Sequence, residues 1–393
     1  MRLLMIAPQP FFTPRGTPLS VYYRALIMSE LGVQIDLLTY GQGEDVDLPN
    51  VRIIRIPALP GMKQVKIGPS FAKAVLDVLM LLWTIGLLLR HRYRVVHAHE
   101  ESVFWCRFLK PIFRFRLIYD MHSSLPQQLT NFKFTTSRLL IRLFEWLENS
   151  SLRHSDAVIT ICPDLEKHAL GQGVSPQRHW LIENSIFDDV RLKHAPESMA
   201  DEEKFDAHAG PVVVYAGTFE SYQGLDLLIH GFALVHRQAP DAQLLMVGGS
   251  PGQVEQMRKL ASEAGLDGAC TFAGAVPKAR ARQYTEQADV LVSPRREGTN
   301  TPLKVYEQIA TGKPLVATNI YSHTQVLSDE VCFLVEPTPQ GLAEGLLAAL
   351  TDTEQAKQRA DAARTLYEKK YARHAYRRKM QQLLDLIGKA GQR

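Results

Sequence analysis

Apolar residues along this chain fall into two alternating patterns. Short β-branched or continuous apolar runs, "RLLMIA", "VQIDLLTY", "YRVVHAH", "FRLIYDM", "DAVITI" and "HWLIEN", occupy the first half, and "PVVVYAG", "AQLLMVGG", "CTFAG", "DVLVSP" and "PLVAT" the second. Between them lie segments with helical apolar spacing, such as "SRLLIRLFEWLENSSL", "GLDLLIHGFALVHRQ", "GQVEQMRKLASEAG" and "ARARQYTEQ". Strand-sized runs alternating with helix-sized ones imply parallel sheets covered by helices on both faces. The aperiodic, charged stretch "SIFDDVRLKHAPESMADEEKFDAHAG" separates the two series and reads as a linker. The predicted fold is therefore α/β: two doubly wound Rossmann-like domains, residues 1–190 and 205–365, and a basic C-terminal helix over 366–393 packing across them. Ligand sites in such folds sit at the carboxyl ends of the strands, here expected to face a shared cleft.

The segment "SPRREGTNTPLKVYEQIATGKPLVAT", Ser293 to Thr318, shows how a site is built from this pattern. Thr301 before Pro302 predicts an N-cap and first helical residue, since proline's missing N–H costs nothing there. The helix should run to about Thr311, end at Gly312, and give way to a buried strand in "PLVAT". Its start offers free N–H groups and a positive dipole end, a seat for phosphate to which Lys304 adds a full charge. Glu307, one turn on, would repel phosphate and needs another task.

Length and composition narrow the function class. The 393 residues suffice for two cores, and a formal charge of +4 is too small to argue for nucleic acid as a partner. The charge is uneven: Gly61 to Asp120 holds about ten Lys and Arg against about four Asp and Glu, which favours an acidic surface. Four scattered cysteines suggest a reducing compartment, the cytoplasm. "MRLLMIAPQP" reads as a first strand rather than a signal peptide. The run Ala74 to Leu89 is shorter than a spanning helix and carries Asp77, so a core helix is expected, with a monotopic membrane contact as the second reading. His97 and His99 share one side of a strand but have no third ligand at an obvious spacing, and "EDVD" near Asp45 lacks the context of a metal motif; no metal is expected.

Together these residues resemble the retaining glycosyltransferases of family 4 (group 1), with the two-domain GT-B fold, over nearly the whole chain. The resemblance is carried most strongly by "YEQIATGKPLVAT". It implies that Glu307 binds the ribose hydroxyls of a nucleotide sugar, that the N–H groups around Thr301, Pro302 and Leu303 hold the diphosphate, and that Gly16 lets backbone approach donor phosphate or acceptor. It implies further that His122 contacts the donor sugar near its anomeric centre, with His99, Glu100 and Asp120 on the acceptor side. Three positions depart from the family pattern. The sugar-contacting glutamate expected at Thr299 stands two residues early, at Glu297, with Asn300 following. In "GTFESYQG", which begins at Gly217 after a strand end, Thr218 and Gln223 replace the usual Arg and Lys on the diphosphate. Lys304 is the leading substitute for those cations, ahead of Arg295 and Arg296. The implied activity is metal- and cofactor-independent transfer of a sugar from a UDP- or GDP-sugar donor to a lipid-linked or polysaccharide acceptor, in the cytoplasm or peripherally on the inner face of an anionic membrane. A non-catalytic nucleotide-sugar-binding subunit and a GT-B epimerase or phosphorylase are the rival readings, separated from it by turnover.

Overall fold

The computed structural model describes residues 1–13, 16–58, 71–126, 137–184, 187, 190 and 210–389. The chain divides into two compact units, Met1–Ser198 with Arg373–Arg393, and Met199–Ala372. Most of the polar stretch expected to be a linker lies outside the described residues.

The first unit holds a sheet of β1 (Arg2–Ala7), β2 (Gln34–Thr39), β3 (Val51–Arg55), β4 (Val95–His99), β5 (Arg116–Met121), β6 (Ala157–Thr160) and β7 (His179–Leu181). All its ladders are parallel, in the order β3-β2-β1-β4-β5-β6-β7. The strands of its interior are buried along almost their whole length because both faces are covered, and β2, β4 and β5 bury polar residues among the apolar ones. Helix α1 (Gly16–Glu30) packs on one face, and α2 (Phe71–Arg90), α3 (Ser102–Phe113) and α4 (Arg138–His154) on the other; α5 (Pro163–Gly171) joins β6 to β7.

In the second unit β8 (Val212–Ala216), β9 (Gln243–Val247), β10 (Cys270–Gly274), β11 (Val290–Ser293), β12 (Leu315–Thr318) and β13 (Phe333–Val335) form a parallel sheet in the order β10-β9-β8-β11-β12-β13. Its helices are α6 (Leu225–Gln238), α7 (Pro251–Glu263), α8 (Lys278–Gln287), α9 (Leu303–Thr311), α10 (Tyr321–Thr324), α11 (Pro339–Thr351) and α12 (Thr353–Lys370). In each sheet the strand order reverses once beside the first strand, between β1 and β4 and between β8 and β11, and a crevice opens at such switch points.

Three expectations change. The basic C-terminal helix is two helices: α12 belongs to the second unit, the chain breaks at Tyr371 and Ala372, and α13 (Arg373–Lys389) packs on the first unit beside α1. Arg373 pairs there with Glu30, and Met380, Leu383 and Ile387 enter the first core. The Ala74–Leu89 run is a helix only partly sunk in its domain: 28% of its apolar window is buried, while Val78, Leu82 and Leu89 stay exposed. By length and composition alone it is long and apolar enough to cross a membrane. Third, the helix expected from Pro302 starts at Leu303, with Pro302 at the N-cap position, so Thr301 does not cap it.

Candidate active site

Two polar clusters stand at the switch points, one in each unit. In the second unit, the loop after β8 and the loop after β11 converge. Tyr215, whose hydroxyl donates to the Thr218 carbonyl oxygen at 2.7 Å, turns its ring under Lys304, the ammonium lying 4.4 Å from the ring centroid. Gly217 makes that arrangement possible: a Cβ there would stand 2.9 Å from the Tyr215 hydroxyl, closer than a real side chain tolerates. Lys304 Nζ donates to Gln223 Oε1 at 2.9 Å, and Gln223 reaches on to Thr218 Oγ1 at 3.4 Å. The ammonium of Lys304 thus touches the very side chain that stands where the family pattern has a lysine, and supplies a charge at that point from a different element.

Arg295 contributes a second cation. Its guanidinium stacks 5.1 Å above the Tyr222 ring while Nε donates to the Glu297 carbonyl oxygen at 2.6 Å. Arg296, in contrast, is taken by Asp226. Burial, with Arg295 nearby, presses the Lys304 ammonium down to about 7, so this amine is poised to gain or lose its proton near neutrality. Burial also lowers Arg295 from its ordinary value. Beneath them His323, which sequence reasoning missed, pins the strand ends: Nδ1 donates to the Thr318 carbonyl oxygen at 2.8 Å and Nε2 accepts from Ser293 Oγ at 3.0 Å. Burial drives its pKa to about 4, so it stays neutral and repels neither cation.

The start of α9 completes this cluster. The buried Thr301 hydroxyl has no hydrogen-bond partner among the described residues, and the Thr299 carbonyl is held by Gln325. Asn300 is half-buried beside them, and Glu297 is exposed. Glu307 lies one turn along α9, 41% exposed, with Lys278 Nζ 3.5 Å away. The helix start therefore presents N–H groups and a lysine, followed by an accessible carboxylate: anion-binding atoms first, hydroxyl-binding atoms a turn later.

In the first unit the cluster is buried. Asp120 at the end of β5 accepts from Arg24 Nε at 2.8 Å and His97 Nε2 at 3.0 Å, all three side chains fully out of solvent. Burial acts to raise the Asp120 carboxyl, but Arg24 and the imidazoles more than reverse it, leaving the group well below the usual range and ionised. His99 stacks on His97 with ring centroids 4.5 Å apart, and its Nδ1 lies 3.0 Å from His122 Nε2. Burial holds His99 well below its ordinary pKa and His122 at about 4, so both are neutral near pH 7. Asp120, expected on the acceptor side, is fully buried and holds His97, with His122 at 3.3 Å.

Sequence spacing alone gave the histidine pair no third ligand, and the fold supplies one: donor atoms of His97, His99 and Asp120 lie within 4.8 Å of one another. They fit a hydrogen-bonded cluster better than a cation, because Asp120 Oδ2 already serves Arg24 and His97. Asp45, in the other metal-like motif, pairs with Arg55 at 2.7 Å. Glu100 follows β4 with a positive φ of 50°, and burial lifts its carboxyl to about 7 despite Lys73 at 4.0 Å. Gly16 opens α1, and a Cβ there would meet nothing within 4 Å among the described residues.

Comparison with known families fits both halves. The family described as "Glycosyl transferase 4-like domain" matches residues 20–185, and "Glycosyl transferases group 1" matches residues 199–366. The chain belongs to the group 1 glycosyltransferases of family 4. This glycosyltransferase is 26% identical over 367 residues to a phosphatidyl-myo-inositol mannosyltransferase of Mycobacterium tuberculosis, covering 89% of this chain and 88% of that protein. Its fold is shared by sucrose-phosphate synthase from Thermosynechococcus elongatus, with a TM-score of 0.75 at 21% identity over 99% of both chains. It is shared also by Anabaena HepE in complex with UDP and glucose, at 0.70 and 16% identity, covering 98% of this chain and 99% of that one. Two parallel sheets of seven and six strands are the GT-B arrangement of α/β layers. Within this glycosyltransferase the Gln223 replacement stands beside a cation, Lys304, and Thr218 lies next in the same chain of contacts.

Proposed function

We propose that the protein is a retaining, metal-independent hexosyltransferase that uses a UDP- or GDP-sugar and a lipid-linked or polysaccharide acceptor. The observation that carries this reading is Lys304 on Gln223 at the head of α9, a positive site at the β8/β11 switch point followed by Glu307. In the proposed step the leaving diphosphate helps deprotonate the incoming hydroxyl on the same face of the sugar. The protein contributes position and charge: Lys304 and the α9 N–H groups on the diphosphate, Glu307 on the ribose, His122 on the sugar. A screen of nucleotide sugars for thermal stabilisation, followed by turnover with the best ligand and assignment of the product anomer, tests it. Stabilisation by a nucleotide sugar without transfer to any acceptor would favour a binding subunit.

Glu307→Ala is expected to weaken nucleotide binding by about tenfold, the worth of a charged hydrogen-bond pair to two hydroxyls less its exposure to solvent, with the melting temperature unchanged. Calorimetric titration with the nucleoside diphosphate checks this, and unchanged affinity would remove Glu307 from the donor site.

Lys304 makes donor binding pH-dependent. Below about 7 it is charged before the ligand arrives; above that, each binding event must first draw a proton, so the donor KM should rise with pH, by up to about tenfold per unit. Lys304→Arg keeps its charge throughout and should flatten the profile. A parent profile flat from pH 6.5 to 8.5 would show that the amine is not the diphosphate cation.

The acceptor side is read from surface chemistry. Val78 and Leu82 on α2, Phe108 and Ile112 on α3, and Leu139, Leu143 and Trp146 on α4 are exposed at helical spacings, on helices that pack side by side. Arg107 spans Phe108 and Trp146, and Arg90, Arg114, Arg138 and Arg142 are exposed on or beside these helices. Apolar stripes edged by guanidinium groups suit an anionic lipid surface, and the mannosyltransferase relative is named for a phosphatidylinositol acceptor. The protein is expected to float with phosphatidylglycerol–phosphatidylcholine vesicles and to be released by salt. Equal flotation with phosphatidylcholine alone would remove the anionic preference, and no flotation with either would point to a soluble polysaccharide acceptor.

A further inference from the structure

A buried ion pair is costly to desolvate, and well-packed apolar residues usually stabilise a core as well; where one persists, its geometry calls for a role. Arg24 of α1 is fully buried, yet all three of its donor nitrogens are used. Nε serves Asp120, Nη2 serves the Ile182 carbonyl oxygen at 2.8 Å just past β7, and Nη1 serves the hydroxyl of Tyr376. The Tyr376 ring also lies 5.1 Å from the guanidinium carbon. Tyr376 comes from α13, the last helix of the chain, and is itself buried.

The contacts on the far side of Asp120 favour one assignment of protons, although the His99–His122 pair alone would admit either ring as donor. An ionised Asp120 accepts from His97, so His97 carries its proton on Nε2. His122 Nε2 stands 3.0 Å from His99 Nδ1 and 3.3 Å from Asp120 Oδ1. Oδ1 makes no hydrogen bond among the described residues, but His122 Nε2 is nearer the carboxylate than His99 Nδ1, which is 3.7 Å from Oδ2, so the charge favours the proton on His122 Nε2 with His99 Nδ1 as acceptor. His122 Nδ1 is then the acceptor nitrogen, the state needed to receive a sugar hydroxyl. All of this depends on Asp120 staying ionised and turned as it is, which Arg24 secures.

We propose that Arg24 and Tyr376 are positioning residues for His122. The chain Tyr376–Arg24–Asp120 fixes the Nε2–H tautomer of that imidazole, and the C-terminal helix α13 is by this route part of the sugar-side site. The inference rests on the reading of His122 as the sugar contact, but its first readout does not. In protein labelled with nitrogen-15 at histidine, the parent should show His97, His99 and His122 as Nε2–H tautomers. Tyr376→Phe keeps the ring and removes one hydroxyl; it should shift the ring-nitrogen signals of His122 and lower kcat about fivefold, the effect of roughly one neutral hydrogen bond, with donor KM unchanged. Asp120→Asn, whose amide can donate where the carboxylate accepts, should move the His122 proton to Nδ1, as a carboxamide does when it replaces the carboxylate behind a catalytic histidine. A Tyr376→Phe protein with parent imidazole signals and parent kcat would overturn the proposal, as would a parent His122 in the Nδ1–H form. Should the tautomers shift as expected while His122→Ala retains full turnover, the positioning chain stands and the sugar-contact reading is what fails.

Discussion

Lys304→Ala is expected to lower turnover at least tenfold and to weaken nucleoside diphosphate binding by a similar factor, while affinity for the bare nucleoside hardly changes. A charge-assisted hydrogen bond contributes about 1.5–3 kcal/mol, and a helix start supplies only about half a charge, so the lysine should be the larger single term on the leaving diphosphate. Loss of about 1.4 kcal/mol in the transition state is tenfold in kcat/KM. The variant leaves the Gln223 amide and the Tyr215 ring in place, without a cation between them. Because Nζ of Lys304 lies 2.9 Å from Gln223 Oε1, a lysine introduced at 223 would end close to the same point. Gln223→Lys should therefore rescue Lys304→Ala in part. In the parent background the same change should harm binding, since two ammonium groups would compete for one place. Steady-state kinetics with titration of nucleoside and nucleoside diphosphate separates these effects. Transfer at the parent rate by Lys304→Ala would place the charge on Arg295, whose stacking on Tyr222 aims it at the same loop pair.

This arrangement explains why the donor site was legible in part. Lys304 and Gln223 are 81 positions apart, and a motif read along the chain sees a missing lysine in one segment and an additional one in another. Charge bookkeeping connects the two, since a diphosphate needs cations wherever they come from, but only the fold puts the ammonium on the amide. The buried network of the first unit was less legible. His97, His99, Asp120 and His122 sit at strand ends where a switch point predicts chemistry. Arg24 lies mid-helix among apolar residues and finds its partners 96, 158 and 352 positions away, so nothing local marks it as buried. Arginine in a helix is ordinarily a surface residue, and pattern reading assigns it there.

The strands follow the same logic. Those of the sheet interiors are buried on both faces and read as mostly apolar runs, a few polar residues included. The two missed, β3 and β13, are short edge strands, only partly buried, and "VRIIR" carries two arginines in five residues. Arg52 pairs across the ladder with Asp36 on β2, and Arg55 with Asp45 in the preceding loop, and these charges break the apolar pattern by which the strand could be read. The apolar run in α2 misled in the opposite sense. Its hydropathy fits a core helix, yet Val78, Leu82, Trp83 and Leu89 stay exposed, because apolar periodicity does not say what covers the outer face.

His122→Ala is expected to lower kcat by about a hundredfold while affinity for the nucleoside diphosphate changes less than about twofold, the difference arising because the imidazole meets the sugar and not the leaving group. Burial holds His122 neutral, at about 4, so the side chain can accept a hydroxyl throughout the neutral range, and the parent kcat should carry no limb from this residue between pH 6 and 8. Below about 5 it should fall as the imidazole takes a proton and its acceptor nitrogen is lost. The cavity left by alanine sits among His99 and Asp120, so the variant removes one polar group from a buried network, and some loss of melting temperature is expected alongside the kinetic effect. His122→Asn separates the two, since its amide oxygen can accept a hydroxyl while its NH₂ faces the carboxylate: it should recover melting and part of kcat. Equal losses of nucleotide affinity and turnover in both variants, at unchanged melting, would place His122 on the nucleotide instead. A collapse of melting in alanine with full parental kcat in asparagine would make it a structural member of the network that Arg24 and Asp120 hold together.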